Sequence, residues 1–91
     1  MSEASRRRVV AHGRVQGVFF RDSCRREANA RGVAGWIANR SDGAVEAVFE
    51  GAPDAVAALV EFCRHGPRGA EVSSVEETSE QPEGISGFDV R

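Results

Sequence analysis

Two helix-length segments, each with one apolar stripe and each closed by glycine, divide this 91-residue chain into a fixed alternation. In the first, Phe20, Cys24 and Ala28 recur every four residues over Phe20 to Arg31, and Gly32 stands at the C-cap position. In the second, Val56, Leu59, Val60 and Cys63 fall at i, i+3, i+4 and i+7. Pro53 and Asp54 suit its first turn, Arg64 and His65 its last, and Gly66-Pro67 stops it. The remainder reads as strands: Arg7 to Val15, Val33 to Asn39, Ala44 to Glu50, Val72 to Glu77 and a short Phe88 to Val90. Ser41-Asp42-Gly43 marks a hairpin between the second and third, and Glu80 to Ser86 a polar loop.

The order is β-α-β-β-α-β plus a short last strand. A short chain of that order predicts an α+β, ferredoxin-like split βαβ sandwich, one antiparallel sheet with two helices on one face. A right-handed crossover sets the first two strands parallel, with the third inserted between them. Residues 13–21 and Asn39 then share one edge of the sheet. Residues 1–91 form a single domain, with 1–6 expected as a flexible tail and Arg6-Arg7-Arg8 as its solvated entry into the first strand.

No apolar run nears the ~20 residues of a membrane span, and no secretory leader is expected after Met1 to Arg8. Cys24 and Cys63, the two cysteines, can build neither a disulfide framework nor a four-ligand zinc site. On the helix stripes they read as buried free thiols, and the expected compartment is the reducing cytoplasm. No carboxylates stand at metal-ligand spacing, so no metal or other cofactor is expected. A net charge of −2 argues against bulk nucleic-acid binding. Its distribution is uneven. Residues 1–31 hold eight arginines and three acids, residues 32–91 four arginines and eleven acids. An anion site belongs in the first third.

There the segment Gly13 to Arg21 joins a strand to a helix N-terminus, where unpaired N–H groups and the helix dipole favour an anion. Gly17 also permits close approach to the main chain. Arg21 in a first helical turn is unfavourable toward the dipole unless an anion lies between them. A tight turn with a solvated arginine is the competing reading, and spacing alone leaves both open. His12 and His65 read as a strand residue and a helix-end cap rather than catalysts. Trp36 and the five phenylalanines are expected in the core.

His12-Gly13-Arg14-Val15-Gln16-Gly17-Val18-Phe19-Phe20-Arg21 resembles the first signature of the acylphosphatase family. Gly35-Trp36-Ile37-Ala38-Asn39, followed by Asp42-Gly43-Ala44-Val45 and Gly51, resembles the second. The likeness extends through Cys63-Arg64-His65-Gly66-Pro67 to Gly87-Phe88-Asp89-Val90-Arg91. Ile37 stands where Val or Ala is usual, and no Tyr is present.

The resemblance implies metal-independent hydrolysis of a carboxyl-phosphate anhydride. Arg21 would bind the phosphoryl group and Asn39 would orient the attacking water. The N–H groups of Val15, Gln16, Gly17, Val18, Phe19 and Phe20 would form the phosphate cradle. The implied partners are a small acyl phosphate and inorganic phosphate, as product and competitive inhibitor. The chain would act as a monomer, without nucleic acid or membrane. Two other classes fit the fold: a module that binds phosphate or carbamoyl phosphate without turnover, and a small RNA-binding domain. Negative charge and the missing aromatic stretch of RNA-recognition domains rank the last lowest.

Overall fold

A computed structural model, which describes residues 3–91, gives β1 (Ser5–Arg14), α1 (Phe20–Arg31), β2 (Ala34–Asn39), β3 (Val45–Gly51), α2 (Pro53–His65), β4 (Glu71–Glu80) and β5 (Phe88–Val90). Both helices begin and end where their apolar stripes place them. Gly32 closes α1 at φ 67°, and the adjoining Val33 N–H donates to the Ala28 carbonyl at 2.8 Å. No described helix is long and apolar enough to cross a membrane.

The strand order is β4-β1-β3-β2-β5. As the crossover argument requires, β3 lies between β1 and β2 and is antiparallel to both. The sheet is not wholly antiparallel, however, because β5 pairs parallel to β2. The cause is the route of the β4–β5 connection. β4 ends beside Arg6, at the sheet end where β2 begins. The connecting segment crosses that end, so β5 starts level with β2 and runs the same way.

Alternation along the strands divides the sheet into two faces. Val9, Ala11, Ile37, Val45, Ala47, Phe49 and Phe88 meet Phe20, Cys24, Ala28, Val56, Leu59 and Cys63 in one core beneath the helices. Phe49 and Phe88 stack at 5.9 Å between centroids, and Phe20 meets Phe62 edge-on at 6.1 Å. Cys24 and Cys63 are buried and free, as read. A hydrogen bond with Cys63, together with burial, pushes the Cys24 thiol well up.

The opposite face carries charge. Arg6 pairs with Glu50 at 3.1 Å and Glu80 at 2.9 Å, and Arg8 with Glu46 at 2.8 Å and Glu80 at 2.7 Å. Arg7 alternates away from this charged face and pairs with Glu77 on the helix side of the sheet, where Arg64 of α2 also reaches Glu77 at 3.0 Å. Arg6 to Arg8 are thus strand residues, not a solvated tail, and Ser5 and Arg6, expected within a flexible start over 1–6, belong to β1. Met1 and Ser2 lie outside the described residues. β4 runs past the expected Glu77 to Glu80 because its acids meet these arginines across the ladder. Trp36 is not in the core either: it lies on this face, with the guanidiniums of Arg8 and Arg91 at 5.5 and 4.7 Å from its ring.

Glu50 holds the crossing segment. Its carboxylate is buried beside Arg6 and accepts the N–H groups of Glu83, Gly84 and Ile85 at 2.9, 2.8 and 3.3 Å. Burial pushes its pKa up. The Glu83 N–H, the Arg6 guanidinium and the other two N–H groups outweigh that and hold it below its ordinary value of 4.5. A carboxyl lowered on folding contributes stability above its unfolded value and loses it as pH falls through the folded one. Glu50→Gln should therefore cost about 3 kcal/mol at pH 7, the scale for breaking a buried pair. Denaturation midpoints between pH 6 and 3 should also fall less steeply in the variant than in the wild type. Equal slopes would show that Glu50 is not part of the acid transition.

Candidate active site

Val45 of β3 lies opposite both Ala11 of β1 and Asn39 of β2, so β1 and β2 end side by side. β1 parts from β3 after Ala11 and bends at a register shift between His12 and Gly13, while it stays paired with β4 through Arg14. Gly13 has φ 120°, and a Cβ there would collide with the Glu71 carbonyl oxygen. This bend directs the chain across the sheet end toward α1.

The segment that follows is anchored at alternate residues. Val15 and Phe20 are buried in the core, and Val18 packs against it. Gln16 turns the other way. Its Nε2 donates to the carbonyls of Arg40 and Ala44 at 2.8 and 2.9 Å. Those carbonyls belong to the β2–β3 hairpin. The hairpin is closed by Arg40 N–H to Ala44 O at 2.8 Å and by Ala44 N–H to the Asp42 carboxylate at 3.0 Å. The Ala44 N–H and the Arg40 guanidinium hold Asp42 below the usual carboxylate range. The segment is therefore tied to the hairpin that carries Asn39.

Gly17 and Phe19 have φ of 75° and 62°, while Val18 between them keeps a negative φ. Alternation in the sign of φ is the backbone pattern by which successive N–H groups turn to one side in an anion nest. Phe19 is also the N-cap of α1, and no side chain caps that end. The first N–H of this turn with a main-chain acceptor is that of Ser23, which donates to the Phe19 carbonyl at 3.0 Å. The donors before it face outward with the positive end of the helix dipole behind them.

Arg21 lines a cavity of about 290 Å³ with Gly17, Phe19, Asn39 and Val90. That volume is at the small end for ligand pockets. Arg21 Nη1 donates to the main-chain oxygen of Arg91 at 2.9 Å, which aims the guanidinium along the sheet end. Among the described residues, Arg6, Arg7, Arg8, Arg14, Arg25, Arg26 and Arg31 all have Asp or Glu partners and Arg21 has none. The adjacent Asp22 is occupied by Arg26 at 2.6 Å and Arg25 at 2.7 Å. Those two arginines hold its carboxyl down.

Asn39, the last residue of β2, is exposed on the cavity wall. The hydrogen bonds of the turn after it come from Asp42 and Gln16, not from its amide. His12 is on the charged face, 2.6 Å from Glu76 and outside this cavity. His65 pairs with Glu61 at 3.1 Å.

The family is decided at this point. The acylphosphatase family model matches residues 7–90. The chain belongs to the acylphosphatase family. An acylphosphatase of Haloarcula marismortui is 53% identical over 88 residues, covering 96% of each chain. The solved acylphosphatase of Coxiella burnetii has a TM-score of 0.92 at 40% identity, over 97% of this chain and 93% of its own. That of Bacillus subtilis has a TM-score of 0.91 at 36% identity, over 96% and 98%.

Two features of this acylphosphatase-family site are not legible in the motifs. The expectation for Gln16 concerned its N–H group, and the tie that its side chain makes to the hairpin is not announced by the motif. Val90 and Arg91 reach the site because β5 runs parallel to β2, and no local pattern announces that. Gln16→Ala removes two hydrogen bonds and should cost about 1–2 kcal/mol. Amide exchange should quicken together over residues 16–20 and 40–44. Unchanged exchange in the hairpin would show that the tie does not couple the two segments.

Proposed function

We propose that the chain hydrolyses acyl phosphates to carboxylate and inorganic phosphate without a metal. The observation that carries this reading is a guanidinium with no Asp or Glu partner, Arg21, held by the Arg91 main-chain oxygen beside an uncapped helix N-terminus whose preceding loop alternates in φ. The nest, the dipole and Arg21 suit a tetrahedral dianion. A planar fork can grip two phosphoryl oxygens at once. The N–H groups of Val15 to Phe20 complete the cradle, and family membership supports the substrate class.

The chemistry asks for little else. Water attacks phosphorus and the bond from phosphorus to the acyl oxygen breaks. The leaving carboxylate has a conjugate acid near pKa ~4, so it departs without a general acid. Charge on the phosphoryl oxygens is met by donors already in place. The Asn39 amide, free of the turn beside it, holds the water in line. It has no useful basicity, so the water's proton passes to a phosphoryl oxygen. Every group in this scheme comes from one chain, which supports action as a monomer. Two buried free thiols support a reducing compartment such as the cytoplasm.

Phosphate release from benzoyl phosphate should persist in excess chelator, with inorganic phosphate as a competitive inhibitor. Loss of turnover that a divalent ion restores would overturn the metal-free scheme. Asn39→Ala should lower kcat by at least about 100-fold with the phosphate Ki nearly unchanged, because orientation of the nucleophile matters only in the transition state. A turn role would instead lower the denaturation midpoint and leave kcat intact. Arg21→Lys should lose most of kcat/KM, since a point ammonium cannot replace a bidentate fork. Near wild-type kcat/KM in that variant would remove the guanidinium from the mechanism.

A further inference from the structure

Phe19 breaks three local rules at once. It is 81% exposed, whereas Phe20, Phe49 and Phe88 are buried and Phe62 packs against the core. Among the described residues it alone, apart from glycines, has positive φ. It also occupies an N-cap position without supplying a capping side chain. A left-handed conformation costs an L-residue about 1–2 kcal/mol, and a poor N-cap about 1 kcal/mol. Glycine would serve the backbone here at lower cost, and Asn would also cap the helix. The phenyl ring gains no compensating burial within the chain. Strain of this kind persists at ligand-contact positions.

The ring lines the same cavity as Arg21 and Asn39, with the apolar side chain of Val90 also on the wall. The polar donors of that cavity are all accounted for by a phosphoryl group and its water. What remains, apart from the Asp22 carboxylate that Arg25 and Arg26 hold, is an apolar wall beside the position of the leaving group. We propose that Phe19 is the specificity-determining residue on the acyl side. Its ring is a stacking surface for an apolar acyl group, so that aryl acyl phosphates are preferred over acetyl phosphate. This rests on the hydrolase reading above. The ring is remote from the reacting bond, so its contribution is made in both ground and transition states and falls mainly on KM.

The test is the ratio of kcat/KM for benzoyl phosphate to that for acetyl phosphate, since any damage to the shared phosphoryl site cancels in it. Phe19→Gly removes the ring and accepts the backbone conformation without strain. The ratio should fall about tenfold, the scale of one aromatic contact, with the change chiefly in KM for benzoyl phosphate. Phe19→Tyr should keep the wild-type ratio. Gly17→Ala, which disturbs the cradle backbone, should slow both substrates and leave the ratio alone. An unchanged ratio in Phe19→Gly overturns the assignment while the hydrolase reading stands. Turnover of neither substrate by the wild-type chain overturns the hydrolase reading and this assignment with it.

Discussion

The pairing of β3 with both β1 and β2 is the constraint on which the rest depends. An antiparallel strand between two others forces those two to run parallel, so their C-terminal ends meet at one edge of the sheet. Val45, opposite Ala11 and Asn39 together, is where that geometry becomes chemistry. The strand-to-helix segment after β1 and the last residue of β2 are brought together by main-chain hydrogen bonds, not by any attraction between the residues themselves. The Gln16 amide then fixes the separation between the two segments. The parallel placement of β5 adds the Arg91 carbonyl that steadies Arg21.

Stability is surrendered at the same edge. A helix that began with Ser or Asp at position 19 would satisfy its own first N–H groups. This one begins with Phe in a left-handed conformation and leaves those groups open. Anchors on either side carry the difference. Val15 and Phe20 are each almost wholly buried, and Phe20 packs edge-on against Phe62 of α2. The helix–sheet core therefore holds the loop in a shape that its own local preferences do not favour. Such pre-formed donors need little rearrangement as charge develops on a bound phosphoryl group.

How far the sequence reveals this depends on whether a signal is local. The helices were legible to the residue, because four-spaced apolar stripes and closing glycines lie within the segments themselves. The motif positions Arg21 and Asn39 were legible as types at a spacing, and the crossover rule alone was enough to bring them to one edge. Arg6 was not legible as strand, and none of the pairings of Arg6 to Arg8 was legible. Charged residues carry no apolar alternation, and their partners, Glu46, Glu50, Glu77 and Glu80, lie about forty to seventy residues away. Trp36 misled for the same reason. A large aromatic is usually core, but here the guanidiniums of Arg8 in β1 and of Arg91, just after β5, cover it. Nor does a sequence show that Phe19 points out while Phe20 points in, since the two are adjacent and identical.

The charge asymmetry takes on a different meaning once the pairs are known. The excess of arginine in the first third looks like a broad attraction for anions. Half of those arginines are consumed across the sheet, where Arg6, Arg7, Arg8 and Arg14 of β1 face acids of β3 and β4 and help set their register. Arg25 and Arg26 are likewise held by Asp22. What remains at the cavity is one guanidinium and the partial charge of one helix end. Both act over a single turn or a few ångströms, and salt screens anything longer-ranged at the surface. A chain with net charge −2 therefore has no long reach for an anion. Under the proposed hydrolysis, its selectivity has to come from contact geometry, from a nest shaped to tetrahedral oxygens with a planar fork closing it. That requirement explains why the loop is held so rigidly by Val15, Gln16 and Phe20, at a place where most proteins leave a loop free to move.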